Sequence, residues 1–223
     1  MVRPPPFFKV MSKTILCFGD SNTWGFIPGS DCERYAPEVR WPGVMQASLG
    51  DGYRVIEEAQ NGRMTVWDDP CEPFINKCGA DHLPIVLESQ KPIDLVILML
   101  GTNDLKKHIN HDAHAIADGM GALVDLVLAS DAGPAKTPPR VLMVSPVPVA
   151  DATCPFGHLF DEAGPLSQDL ADAYREVAED RGVGFLDAGA HAVCPDTDCI
   201  HIDDHGHRSL GEAMANVARE LAG

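Results

Sequence analysis

The chain has 223 residues, 45% hydrophobic and 22% charged, which is ordinary globular usage and excludes a disordered polypeptide. Its 33 acidic residues against 17 basic ones leave a formal charge of -16, a field that repels phosphate backbones and anionic lipid surfaces. No run reaches the roughly 18 apolar residues of a membrane span, so neither nucleic acid nor a membrane is an expected partner.

In chain order, residues 1–11 carry three consecutive prolines, which read as an extended arm outside any helix. They lack the apolar stretch of a signal peptide, so a cytoplasmic location is expected. Residues 12–223 read as one domain. Thr14 to Phe18, Asp94 to Leu100 and Arg140 to Val144 are short, continuous Val/Ile/Leu-rich runs, the pattern of parallel strands buried on both faces. Tyr53 to Glu58 is more polar and reads as an edge strand, and Gly184 to Leu186 as a short fifth strand. Helical stripes at spacings of three and four run through Ile116, Met120, Leu123, Val124 and Val127, then Leu166, Leu170, Tyr174 and Val177, then Leu210, Met214, Val217 and Leu221. Strand and helix alternate, which predicts a three-layer α/β/α sandwich with right-handed crossovers around a five-stranded parallel sheet. The long irregular stretches, about 61–80 and 146–163, are candidates for site-shaping loops.

Ligands of such sheets sit beyond the carboxyl ends of the strands. Two turn segments belong there: Gly19-Asp20-Ser21-Asn22 after the first strand, and Gly101-Thr102-Asn103-Asp104 after the DLVILML strand. A serine hydroxyl at that edge needs a base to become a nucleophile. His201 supplies an imidazole, with Asp198 three residues before it as orienting carboxylate; Asp196 and Asp203 are close enough in sequence to be alternatives. A tetrahedral intermediate also needs donors for its oxyanion, which the Ser21 and Gly62 N–H groups and the Asn103 amide are placed to provide. Blander roles stand beside these. Ser21 is in a turn-forming segment, Gly62 suits a positive φ, Asp20 suits a turn and Asp104 a helix N-cap.

Seven cysteines, an odd count without a Cys-x-x-Cys pair, point to reduced thiols. Cys194, Cys199, His201 and His205 pose a zinc-hydrolase alternative, which leaves Ser21, Gly62 and Asn103 unexplained. His108, His111 and His114 recur every three residues among polar neighbours and read as solvated. A non-catalytic binding module on the same fold is the other rival, and it fits poorly with a complete set of catalytic groups.

Ser21, Gly62, Asn103 and His201 match, in order, the four marker positions of the SGNH hydrolases, also called the GDSL esterase/lipase family. KTILCFGDSNTWG, RYAPEVRW, VIEEAQNGRMT, LVILMLGTND and DCIHIDDHGHRSLG resemble more narrowly its small bacterial arylesterase/acyltransferase branch. The resemblance implies a flavodoxin-like strand order 2-1-3-4-5 and a serine esterase that hydrolyses short-chain or aryl esters without metal or organic cofactor. It also implies acyl transfer to alcohols or peroxide, a small-molecule ester as partner, and homo-oligomers. O-deacetylation of sugars and lysophospholipid cleavage use the same triad and remain alternatives. Asn22, Trp24, Lys106, Phe160 and Ile200 are pocket candidates by the same resemblance. Asn22 stands where the family's name-giving Leu is found, and His207 matches a second family position and is assigned to packing at the start of the last helix.

Overall fold

The computed structural model describes residues 12–72, 74–150, 156–161 and 163–223. The arm expected over residues 1–11 lies outside the described residues. Five parallel strands, β1 (Lys13–Gly19), β2 (Tyr53–Ala59), β3 (Leu95–Met99), β4 (Arg140–Ser145) and β5 (Gly184–Asp187), pair in the order β2-β1-β3-β4-β5, as the family resemblance implies. Consecutive residues of a strand face opposite sides, which is why the apolar runs are continuous. Leu16 and Phe18 of β1, Val96 and Leu98 of β3, and Val141 and Met143 of β4 pack on one face, and Ile15, Cys17, Leu95, Ile97, Leu142 and Val144 on the other. Each fully buried aliphatic side chain stabilises the fold by about 1.5–3 kcal/mol relative to exposure. Edge strand β2 is half-buried along most of its length, which explains its polar composition.

Among the described residues six α-helices cover the sheet: α1 (Ser21–Trp24), α2 (Trp41–Leu49), α3 (Gly79–Gln90), α4 (Ala113–Leu128), α5 (Ala163–Arg181) and α6 (Asp204–Ala222). Leu83 of α3, Ile116 of α4 and Leu170 of α5 join the first face; Trp41 and Met45 of α2 and Leu210 and Met214 of α6 join the second. The three apolar stripes correspond to α4, α5 and α6. Helices α2 and α3 carry no clear apolar stripe in the sequence, because Pro42 and Gly43 open one and Pro84 interrupts the other. None of the helices is long and apolar enough to cross a membrane among the described residues.

Strand order reverses between β1 and β3, so the loops leaving these strands diverge and open a crevice at their carboxyl ends. Gly19 closes β1 where a Cβ would fall 2.9 Å from the Met99 carbonyl of β3 and 2.0 Å from the Thr23 hydroxyl. The absence of a side chain there lets the next residues turn sharply into α1.

Candidate active site

Asp20 follows β1 and caps α1, its Oδ1 accepting from the Asn22 N–H at 2.9 Å. The cap places Ser21 at the first position of a four-residue helical turn. Its N–H therefore has no intrahelical acceptor. Burial pushes the Asp20 carboxyl up to about 6, against the opposing pull of the Asn22 N–H, His201 and Arg63. Asp104, beside it, is also pushed up to about 6, chiefly by burial. Asp104 is not the expected N-cap: its carboxylate accepts from the Thr65 N–H at 3.0 Å and the Thr65 hydroxyl at 2.6 Å. That contact ties the turn after β3 to the loop after β2.

The loop before α6 brings His201 to Ser21, 180 residues away in sequence. His201 Nε2 lies 2.9 Å from Ser21 Oγ, and its Nδ1 lies 2.8 Å from Asp198 Oδ2. A carboxylate accepts only, so Nδ1 carries the ring proton and Nε2 presents its lone pair to the serine hydroxyl. Asp198 is fully buried. Burial alone would raise its carboxyl, but hydrogen bonds from the His201 ring and from the His201 and Ile200 N–H groups outweigh it and hold the carboxyl below its usual range. The sequence neighbours drop out as partners: Asp196 is exposed, and Asp203 caps α6 by accepting from the Gly206 N–H at 2.8 Å. His207 is buried at the start of α6, where its Nδ1 accepts from the Trp41 N–H at 3.2 Å; burial lowers it to about 3, which keeps the ring neutral.

Asn103 and Gly62 join Ser21 in lining a cavity of about 210 Å³. Gly62 has a φ of +81°, a left-handed conformation that disfavours other residues, and its N–H has no partner among the described residues. The guanidinium of Arg63 fixes the turn by donating to the carbonyls of Gly19, at 2.9 Å, and Glu58, at 2.7 Å. The Asn103 amide donates to the Arg63 carbonyl at 3.2 Å and, at 3.5 Å, to Asp20 Oδ2. The second contact is at the outer limit of a hydrogen bond, so that hydrogen is available to a stronger acceptor.

Of the pocket candidates, Lys106, Phe160 and Ile200 line this cavity, whereas Asn22 and Trp24 do not. Asn22 is buried behind the nucleophile, where its amide donates to the Ile200 carbonyl at 2.9 Å and its Oδ1 accepts from the Ile202 N–H at 3.0 Å. These two bonds bracket His201, so the departure from Leu binds the histidine loop rather than shaping a wall. Trp24 turns outward under the Arg34 guanidinium. Phe26 takes the inner position and stacks on the His201 ring, with centroids 4.2 Å apart.

Lys106 is buried and ion-paired, at 2.7 Å to Asp69 and 2.9 Å to Glu72. Burial opposes its charge, but the two carboxylates more than compensate and raise it above the ordinary lysine range. His108 is not simply solvated: its Nε2 lies 2.8 Å from Asp69 Oδ1. His111 stacks on Trp67. Asp69, Cys71 and His108 lie close enough to share a cation, yet the Lys106 ammonium on the same carboxylate already supplies its counter-charge. The zinc alternative at the C-terminal cluster fails on chemistry. Cys199 is disulfide-bonded, which also corrects the expectation of reduced thiols throughout, and both His201 ring nitrogens are engaged by Ser21 and Asp198. Cysteines 17, 32, 71, 78 and 194 are free. The sequence pattern misses Phe26, Cys32, Asn61, Glu72, Thr102, Phe156 and Leu159 as lining residues; the aromatic content of Phe26 and Phe156 near the two motifs is the only signal for any of them.

The profile of the GDSL-like Lipase/Acylhydrolase family matches residues 17–209. Among solved structures, an aryl esterase of M. smegmatis is 42% identical with a TM-score of 0.89, aligned over 94% of this chain and 100% of that one. A carbohydrate acetylesterase of Sinorhizobium meliloti is 40% identical with a TM-score of 0.89, over the same shares. A G-D-S-L family protein of Veillonella parvula, at 16% identity and a TM-score of 0.62, shares the fold alone. No curated protein matches the sequence. With the family profile spanning most of the chain and relatives at about two-fifths identity over nearly its full length, the chain belongs to the GDSL-like lipase/acylhydrolase family and is a carboxylic ester hydrolase.

Proposed function

We propose that the chain hydrolyses short-chain or aryl carboxylic esters through an acyl-enzyme on Ser21. The observation that carries this reading is the 2.9 Å contact between Ser21 Oγ and His201 Nε2 at the base of the cavity. His201 takes the hydroxyl proton as Ser21 Oγ attacks the ester carbonyl, and Asp198 holds the ring and stabilises the imidazolium. The N–H groups of Ser21 and Gly62 and the Asn103 amide receive the oxyanion. His201 then returns the proton to the leaving alcohol, and a water molecule, activated by the same imidazole, releases the acid. An alcohol or peroxide in place of that water gives acyl transfer.

The cavity, at about 210 Å³, is smaller than the roughly 300 Å³ at which drug-sized sites begin, which supports a small acyl group. Its lining is mixed, with Phe26, Phe156, Leu159, Phe160 and Ile200 apolar and Asn61, Glu72 and Lys106 polar. The polar lining residues, together with the acetylesterase relative, support acetylated sugars as a second substrate class. Purified protein is expected to cleave p-nitrophenyl acetate faster than the octanoate, with an acetylated sugar compared in the same assay. Equal rates on acetate and octanoate would remove the short-acyl reading.

Homo-oligomers are part of the proposal. Phe74 is 96% and Ile75 58% exposed, beside Glu72 on the loop that borders the cavity, an apolar surface that self-association would cover. Light scattering tests it. A cytoplasmic site of action is supported by the five free cysteines and opposed by the bonded Cys199; thiol titration of protein isolated under alkylating conditions decides between them.

A further inference from the structure

The loop between β2 and α3 carries a buried cation that the triad chemistry above does not use. Lys77 is 7% exposed. Its backbone is fixed on both sides, the carbonyl accepting from the Met64 N–H at 2.9 Å and the N–H donating to Asp68 Oδ1 at 2.6 Å. The ammonium donates to the Asn61 carbonyl at 2.8 Å and pairs with Glu72 Oε2 at 2.8 Å. It packs directly over Gly62: a Cβ there would lie 3.1 Å from Lys77 Nζ and 3.2 Å from a Glu72 carboxylate oxygen.

The Asn61 carbonyl and the Gly62 N–H belong to one planar peptide unit, so whatever binds the oxygen also acts on the hydrogen. Two consequences follow. Glycine tolerates both signs of φ, so its own sterics do not decide which way the Asn61–Gly62 plane faces; a cation on the carbonyl does, because the N–H must then point the other way. A charge-assisted bond to the oxygen also draws electron density from the nitrogen, which makes the N–H a stronger donor, and such polarisation is felt most in a poorly solvated site. The benefit is greatest when the acceptor carries full negative charge.

We infer that Lys77 is a positioning residue of the oxyanion hole, holding the Asn61–Gly62 peptide in its donating orientation and polarising the Gly62 N–H toward the transition-state oxyanion. This rests on the reading of Ser21 as nucleophile and Gly62 as oxyanion donor. Losing a donor outright costs about 10²–10³ in turnover. Losing the group that orients and polarises it is expected to cost about tenfold, a smaller effect because the N–H itself remains.

The test is steady-state kinetics on p-nitrophenyl acetate for wild type, Lys77→Met, Lys77→Arg and Ser21→Ala, together with the amide resonance of Gly62. Lys77→Met is expected to lower kcat about tenfold with KM within twofold, and to move the Gly62 amide proton upfield. Lys77→Arg restores most of kcat. The same Lys77→Met loss is expected when measured in a Glu72→Gln background, because the ammonium acts on the Asn61 carbonyl and not merely as a counter-ion. A loss confined to KM, a loss that vanishes in the Glu72→Gln background, or an unmoved Gly62 resonance would overturn the inference. Should Lys77→Met fail to fold, Lys77→Gln keeps a donor and removes the charge; wild-type turnover in that variant sinks the inference as well. Activity persisting in Ser21→Ala overturns the nucleophile reading instead, so the two failures are separable.

Discussion

The two sides of Ser21 are built on different terms. On the histidine side the bonds are already made: 2.9 Å to the imidazole, 2.8 Å from imidazole to carboxylate, and three further N–H groups, of Gly29, Ile200 and His201, on that carboxylate. On the oxyanion side the donors are held but not saturated, with a Gly62 N–H unpaired among the described residues and an Asn103 amide on bonds of 3.2 and 3.5 Å. The contrast follows from when the charge exists. The proton-transfer chain works on groups present in the resting enzyme, so it gains from complete satisfaction. The oxyanion appears only as the reaction proceeds, and donors fully committed elsewhere would have to give up bonds to meet it.

The largest effect should come from the group both sides share. Ser21→Ala is expected to lower kcat by at least about 10⁴, and adding His201→Ala should cost little more, since the two act as one unit; a second loss of comparable size in the double variant would separate them. The oxyanion side comes next. Asn103→Ala should reduce kcat about 10²–10³-fold with KM little changed, the pattern of an interaction made in the transition state. A rise in KM at constant kcat would instead place Asn103 in ground-state binding.

The histidine side can be loosened without touching the triad. Asn22→Leu restores the name-giving family residue but removes both bonds that bracket His201. Because small displacements of a reacting group are costly, kcat should fall about 10- to 100-fold, and the buried backbone groups left unpaired should lower stability by about 1–3 kcal/mol each. Full activity in this variant would mean that Asp198 alone fixes the loop. The smallest effect on turnover, but the clearest on stability, concerns His207 at the base of the same loop. Its folded-state value of about 3 lies below the ordinary 6.5, so the unfolded chain binds the extra proton. Stability is therefore complete above about pH 6.5 and falls as the pH drops toward about 3, by up to about 1.4 kcal/mol per unit. Urea titrations at about pH 7 and about pH 5 should show this slope in wild type and a shallower one in His207→Gln; identical slopes would assign the acid sensitivity elsewhere.

Much of the fold and the centre of the site are legible in the sequence. The continuous runs around Ile15, Ile97 and Leu142 require strands buried on both faces, and such strands joined by helical stripes leave few topologies other than the three-layer sheet observed. The positions of Ser21, Gly62, Asn103 and His201 can be named because each follows a strand or precedes a helix inside a compact motif. Local pattern suffices when the residues that decide a feature are neighbours in sequence.

Tertiary structure decided the rest. Asn22, a pocket-wall candidate by resemblance, instead binds the backbone on both sides of His201, a contact across 178 and 180 residues that no window of sequence contains. Phe26, rather than Trp24, reaches the imidazole because the left-handed Gly25 reverses the chain between them. Lys77 and Glu72 lie in an irregular loop whose polar sequence has no period to read, and they meet Gly62 only because Asp68 and Met64 pin that loop against the turn after β2. Sequence alone determined which strands form and where the nucleophile stands, since hydrophobic period and turn chemistry act over a few residues. Which charges and rings surround that nucleophile depended on loops folding back across the sheet edge, where the deciding contacts are long-range and each contributes little by itself.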